Sequence, residues 1–229
     1  MTLTDLLGLL WPLDLIAVGL LFVSAAALGW IIEHPPAGRS SVTVIMADYR
    51  RDWMARFAER DNRIFDSNIL ASLRQGTNFF ASTSILAIGG VLALVGNTDR
   101  LTELAADLTD ETAPNVLWEV KLLTVALFLA AGFLRFVWSN RIFGYCAVVM
   151  GAVPNDPADP EAARLAARAA ELNIRAALNF NRGLRAVYYA LGAAAWLLGP
   201  LALLLATAAV SWVVWSREFA SVPRDVILR

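Results

Sequence analysis

The sequence predicts an all-α polytopic membrane protein, four transmembrane helices with cytoplasmic amphipathic helices, and three observations carry that reading. The composition is 58% hydrophobic and 17% charged with a mean hydropathy of +0.58, against about 45–50% and about 25% in ordinary soluble domains. Four apolar runs are long enough to span a hydrocarbon core, which takes about 20 helical residues. The arginines gather in two of the segments between those runs and are scarce elsewhere.

The first span covers about 13–32, with Asp14 at its mouth. Its leading residues carry Asp5 and no Lys or Arg, whereas a signal peptide opens on a basic region. An uncleaved span is expected. The second covers about 77–96, the third about 118–138 and the fourth about 186–215, with Pro200 inside it. Each run is too long for a strand and lacks period-two alternation. Pro200 beside Gly199 predicts a kink or local widening of span four, because proline lacks a backbone donor and crowds the carbonyl four residues back. Trp11, Trp30, Trp118, Trp138 and Trp215 lie near span ends, where amphipathic rings anchor at the interface. Ala25 with Gly29, Gly89 with Ala93, and Ala195 with Gly199 are small pairs four apart, a spacing that allows close helix packing.

Between the spans, two segments read as helices. From Val42 to Phe57, an apolar face of Val42, Ile45, Met46, Tyr49, Trp53 and Phe57 opposes Asp48, Arg51, Asp52 and Glu59, with a break expected near Asn62. A second helix from about Phe65 then runs into span two, so that 41–75 is helical. In the other segment, 159–182, Asp159 caps a helix with Pro160 in its first turn. The stripe Leu165, Ala169, Leu172, Ala176 and Phe180 is small, which favours packing on another helix. The two halves are coarsely alike at an offset of 109 residues, but the simpler description is one four-helix up-down bundle over 1–229.

Seven arginines lie between spans one and two and six between spans three and four, against four in the outer loop and C-terminal tail. The positive-inside rule then places 33–75 and 139–185 in the cytoplasm. Both termini and the acidic loop Asp99 to Glu111 face outward, in a bacterial inner membrane.

No catalytic motif is present: the chain has no P-loop, no G-x-S-x-G and no H-E-x-x-H. A single cysteine, Cys146, and a single histidine, His34, exclude a disulfide framework and zinc-finger spacing. Net charge is −1, so no overall basic field points to nucleic acid. No enzyme, cofactor or metal site is expected.

The candidate binding residues are Arg74, Asn78, Arg135, Arg141, Arg182, Arg185 and Tyr188, all at cytoplasmic ends of spans. Arg135 precedes Trp138 and so lies just inside the membrane, where charge is costly and faces a polar cavity or a partner. The simple topology puts the five arginines at one depth. Two readings follow. They are snorkelling residues and ion pairs with Asp48, Asp52, Asp66 or Glu171, or they converge on a bound anion such as a phospholipid headgroup.

Three stretches resemble the DUF599 family, multi-pass membrane proteins of bacteria and plants whose biochemical function is not established. The first is Asn68 to Asn78 followed by Ala81-Ser82-Thr83-Ser84, similar to the family's L-R-N pattern, with Gln75 where the family often has Asn. The second is Lys121, Phe133, Arg135-Phe136, Asn140-Arg141 and Tyr145. The third, Gly183-Leu184-Arg185-Ala186-Val187-Tyr188-Tyr189 and then Trp196-Leu197-Leu198-Gly199-Pro200, looks like G-L-R-A-x-Y-[FY] followed by W-x-x-G-P. The resemblance implies a four-span fold and no mechanism. The reading expected from sequence is a non-enzymatic binding, accessory or scaffold protein. Its partners would be anionic lipid, a second copy or another membrane protein. The alternative is a small oligomeric transporter or channel for an anionic solute.

Overall fold

A computed structural model describes residues 12–98 and 115–228. The acidic loop, Asp5 and Trp11 lie outside the described residues. Within these the chain is helical with no strand: α1 (Pro12–Glu33), α2 (Val42–Ala58), α3 (Ile64–Val95), α4 (Asn115–Gly151), α5 (Pro160–Ala194), a 3-10 turn (Ala195–Leu198), α6 (Pro200–Phe219) and α7 (Val222–Ile227). Four stretches are long and apolar enough to cross a membrane: α1, α3, α4 and Pro200–Ile227.

The expected local signals hold. Asp159 accepts the Glu161 N–H at 2.8 Å, with Pro160 opening α5. The break between α2 and α3 falls around Asn62, and α3 then runs unbroken into the second apolar stretch. Asp66 in the first turn of α3 is fully buried and accepts from Trp53 Nε1 at 2.6 Å and from Arg60. A carboxylate there also suits the positive end of the helix.

Helices α4 and α5 form an antiparallel pair along their whole length. Ser139 Oγ donates to the Ala176 carbonyl at 2.7 Å, Cys146 Sγ to the Ala169 carbonyl at 3.4 Å, and a Cβ on Gly132 would lie 3.3 Å from the Gly183 carbonyl oxygen. This pair comes closest at Gly132 and Gly183, where atoms of the facing helix lie against the missing side chains. The expected small pairs do less: Gly89 has open space around it, Gly29 touches only Arg185, and Gly199 sits in a turn. Helix α3 lies against α4, with Phe80 stacked on Phe136 at 5.5 Å and Arg63 donating to the Val153 and Pro154 carbonyls at 2.6 Å.

One reading of the spans is corrected. Residues 186–215 are not one kinked helix. The chain leaves α5 at Ala194, passes through the 3-10 turn, and reverses at Gly199, whose φ of +109° and ψ of +170° an L side chain rarely adopts. Pro200 starts α6, where its missing N–H costs nothing. Helix α6 runs back along α5: Tyr189 faces Ser211, a Cβ on Gly192 would lie 3.4 Å from Val210 Cγ2, and Tyr188 accepts from Arg217. The second half of α5 therefore packs antiparallel to α6.

The C-terminal end consequently returns to the arginine-rich end of the bundle. Glu218 binds Thr43, Arg224 Nε donates to the Ser40 carbonyl at 3.1 Å, and Tyr49 Oη donates to the Ile227 carbonyl at 3.1 Å. At the other end, Trp196 Nε1 donates to Asp14 at 2.6 Å, beside the start of α1. Pro12 and Leu228 thus lie at opposite ends of the bundle. The extra reversal also breaks the coarse likeness of the two halves.

Candidate functional site

The expected arginines do not share one depth. Arg74 Nε donates to Asn140 Oδ1 at 3.3 Å, whereas the level of Arg182 on α4 is marked by Gly132, packed on Gly183. Roughly seven residues of α4 separate the two levels, about 10 Å at the helical rise. The cause is that α3, α4 and α5 are continuous rods of 32, 37 and 35 residues. Their arginines are spread along these rods and not set at the start of each span.

Arg182 and Arg185 are brought together, by an acid outside the expected partners. Arg182 Nε donates to Glu33 Oε1 at 2.7 Å while its Nη2 donates to Oε2, and Arg185 Nη2 donates to Oε1 at 2.6 Å. One carboxylate at the end of α1 thus takes a forked bond from one guanidinium and a single bond from another. The Arg185 side chain is 11% exposed and Glu33 13%, and the Arg185 Nη1 is buried without a partner.

The remaining candidates are scattered. Arg135 is exposed, and Asn78 is exposed on α3. Arg141 is exposed, with Nε donating to Tyr145 Oη at 2.5 Å and the guanidinium 5.7 Å from that ring. Tyr188 holds Arg217, whose guanidinium lies 5.3 Å from its ring. Among the expected acidic partners, Asp48 pairs with Arg51, Asp66 with Arg60 and Glu171 with Arg175, none with a candidate arginine.

Arg74 differs from the others in lining a cavity. A space of about 410 Å³ lies between the end of α2, the first half of α3 and the end of α4, walled by Phe57, Leu70, Met150 and Val153 with Arg63, Ser67 and Arg74. No Asp or Glu lines it. Arg63 is fixed there by the Val153 and Pro154 carbonyls and lies 4.7 Å from the Phe57 ring, leaving its buried Nε without a partner. Arg74 keeps both terminal nitrogens free of protein partners.

Sequence reasoning missed Glu33 and Arg63 as site residues. Glu33 closes an apolar run and its partners lie 149 and 152 residues away, so no local spacing reveals it. For Arg63 a signal existed: Val153-Pro154 follows the end of the third apolar run, and a turn there leaves carbonyls in need of a donor. Among the described residues, no three His, Cys, Asp or Glu side chains come together as a metal site.

No curated protein and no solved structure matches the chain with significance. The sequence model of DUF599, a protein family of unknown function, matches residues 16–223. That match takes in nearly the whole described fold, including both halves of the α5–α6 hairpin and every candidate arginine. The chain belongs to the DUF599 family.

Proposed function

We propose that this membrane protein acts by binding and not by catalysis, and that the cavity between α2, α3 and α4 holds the headgroup of an anionic phospholipid. The observation that carries the reading is one cavity with two guanidiniums, apolar walls and no carboxylate. Arg74 lies near the level of Trp138 and Arg141, the expected interface, so a bilayer lipid can present its phosphate there. Arg182 and Arg185 are already engaged by Glu33 and play a structural part. The arginine bias supports a cytoplasmic position for this end, in a bacterial inner membrane.

A second reading rests on Arg135. It is exposed on the single chain just inside the expected interface, where an uncovered charge is costly. A neighbouring copy or another membrane protein that covers it would make the protein an oligomer or a subunit, the arrangement an anion channel would also need.

Native mass spectrometry of the protein from mixed phosphatidylglycerol and phosphatidylcholine micelles tests the first reading. Arg74→Gln should lower phosphatidylglycerol retention about tenfold, the loss of a charge-assisted hydrogen bond, while Arg141→Gln should not. Equal retention by Arg74→Gln and wild type would sink it.

A further inference from the structure

Helix α2 turns its expected apolar stripe inward only in part: Phe57 is buried and Trp53 packs against the core, but the buried face also takes in residues beside the stripe. Its buried positions are Thr43, Met54, Phe57 and Ala58, and Arg50 lies on the same face, while Tyr49 is half exposed. The face pressed against α5 thus carries a guanidinium at its centre. Arg50 Nη1 donates to Asn173 Oδ1, and Asn173 is fully buried with its amide nitrogen 3.8 Å from Cys146 Sγ. No carboxylate pairs with Arg50 among the described residues. Burial pushes its pKa below the usual arginine value, and Cys146 is the one ionisable group acting against that shift. Removing a guanidinium from water without a counter-charge is expensive, so its retention here calls for an explanation.

A space of about 320 Å³ opens beside it between α2, α5 and α6, lined by Met46, Arg50, Ile174, Asn181, Arg217 and Glu218 among others. Glu218 is the one acid of that lining, and it is committed elsewhere. Its Oε2 accepts the Thr43 N–H at 2.9 Å and its Oε1 accepts from Thr43 Oγ1 at 2.8 Å. There it also offsets the positive end of α2. The cavity therefore presents two guanidiniums, that of Arg50 partly buried, against one carboxylate already bonded through both oxygens. Its volume is near the lower end for small-ligand sites, about 300–1,000 Å³.

We infer that the cavity between α2, α5 and α6 binds a small carboxylate- or phosphate-bearing group, anchored by Arg50 and flanked by Asn181 and Arg217. The site is separate from the one lined by Arg74 and does not depend on it. The anionic group belongs either to a soluble solute or to a lipid headgroup, and the ligands chosen for the test distinguish the two.

The test is thermal unfolding of the full chain in neutral detergent, with inorganic phosphate, succinate or short-chain phosphatidylglycerol added separately. At least one should raise the midpoint of the wild type. A shift from phosphate or succinate assigns a soluble anion, and a shift from phosphatidylglycerol alone assigns a headgroup. Arg50→Gln should bind about tenfold more weakly or worse, Arg50→Lys should keep part of the shift, and Arg51→Gln, on the exposed face of α2, should keep it all; phosphatidylglycerol is read in an Arg74→Gln background, which removes the contribution of the other cavity. Met46→Trp fills the cavity while keeping the Arg50 charge and should abolish the shift, which decides the matter if Arg50→Gln does not fold. Absence of any ligand shift in the wild type, or a full shift in Arg50→Gln or in Met46→Trp, overturns the proposal. Loss of the shift in Arg74→Gln with retention in Arg50→Gln overturns it too and assigns the binding to the other cavity.

Discussion

Tyr189 Oη and Ser211 Oγ lie 2.9 Å apart although 22 residues separate them along the chain. In one continuous helix they would stand about 33 Å apart. The hydrogen bond exists because the chain reverses at Gly199, and that reversal sets the sidedness of the C-terminal segment. A reporter fused after Arg229 is expected on the same side as a cysteine label at Ala163, and a reporter placed before Pro12 on the opposite side. If both fused reporters respond from one side, the hairpin is absent in the membrane.

Gly199 makes the turn possible. Its backbone lies at φ +109° and ψ +170°, a region that is essentially glycine's alone and costs other residues about 1–3 kcal/mol. Gly199→Ala should lower stability by that amount, although a Cβ there would meet no neighbouring atom. Unfolding in a denaturant series checks this. An alanine variant as stable as wild type would mean that the turn has another geometry.

A second glycine is needed for space. A Cβ on Gly183 would lie 2.6 Å from Phe136 Cε1, and the Phe136 ring is fully buried against Phe80 and Phe180. The ring has nowhere to go, so Gly183→Ala should cost about 1–3 kcal/mol by overpacking. Adding Phe136→Leu should recover part of that loss. Additive destabilisation in the double variant would argue against the contact.

Glu33 is the acid on which two arginines converge, and one of them is almost wholly buried. Glu33→Gln leaves Arg185 charged without a counter-ion. Removing one partner of a buried pair costs about 3–5 kcal/mol, and the third or so of Arg182 that reaches solvent reduces its share. A net loss of about 3 kcal/mol is expected, and an Arg185→Met background should shrink it markedly in a double-mutant cycle. An unchanged Glu33→Gln effect in that background would show that the two side chains are not coupled.

The four apolar stretches, the cap at Asp159 and the break near Asn62 were all legible, because each depends on local composition or on a residue's own hydrogen bonding. The reversal at Gly199 was not. A glycine–proline pair inside 30 apolar residues suits a kinked helix and a tight hairpin equally, and only packing of Tyr189 on Ser211 and Gly192 on Val210 selects between them. The place of Arg50 on the buried face of α2 was hidden for a similar reason. Hydropathy favours Val42, Ile45 and Tyr49, but the alanines along α5 accept the Thr43–Arg50–Met54 face, and Arg50 follows. Glu33 became visible only when the fold brought α1 beside α5.

The three longest helices reach about 48–55 Å, well beyond a hydrocarbon layer of about 30 Å. They carry no break along their length, so a tilt of the apolar part of α3 or α4 carries the rest of that helix with it. A change in bilayer thickness is met by helix tilt. A tilt of about 5° moves a point about 25 Å outside the layer by roughly 2 Å. The walls around Arg63 and Arg50 include residues of α3, α4 and α5, so a change in bilayer thickness is expected to alter the width of both cavities.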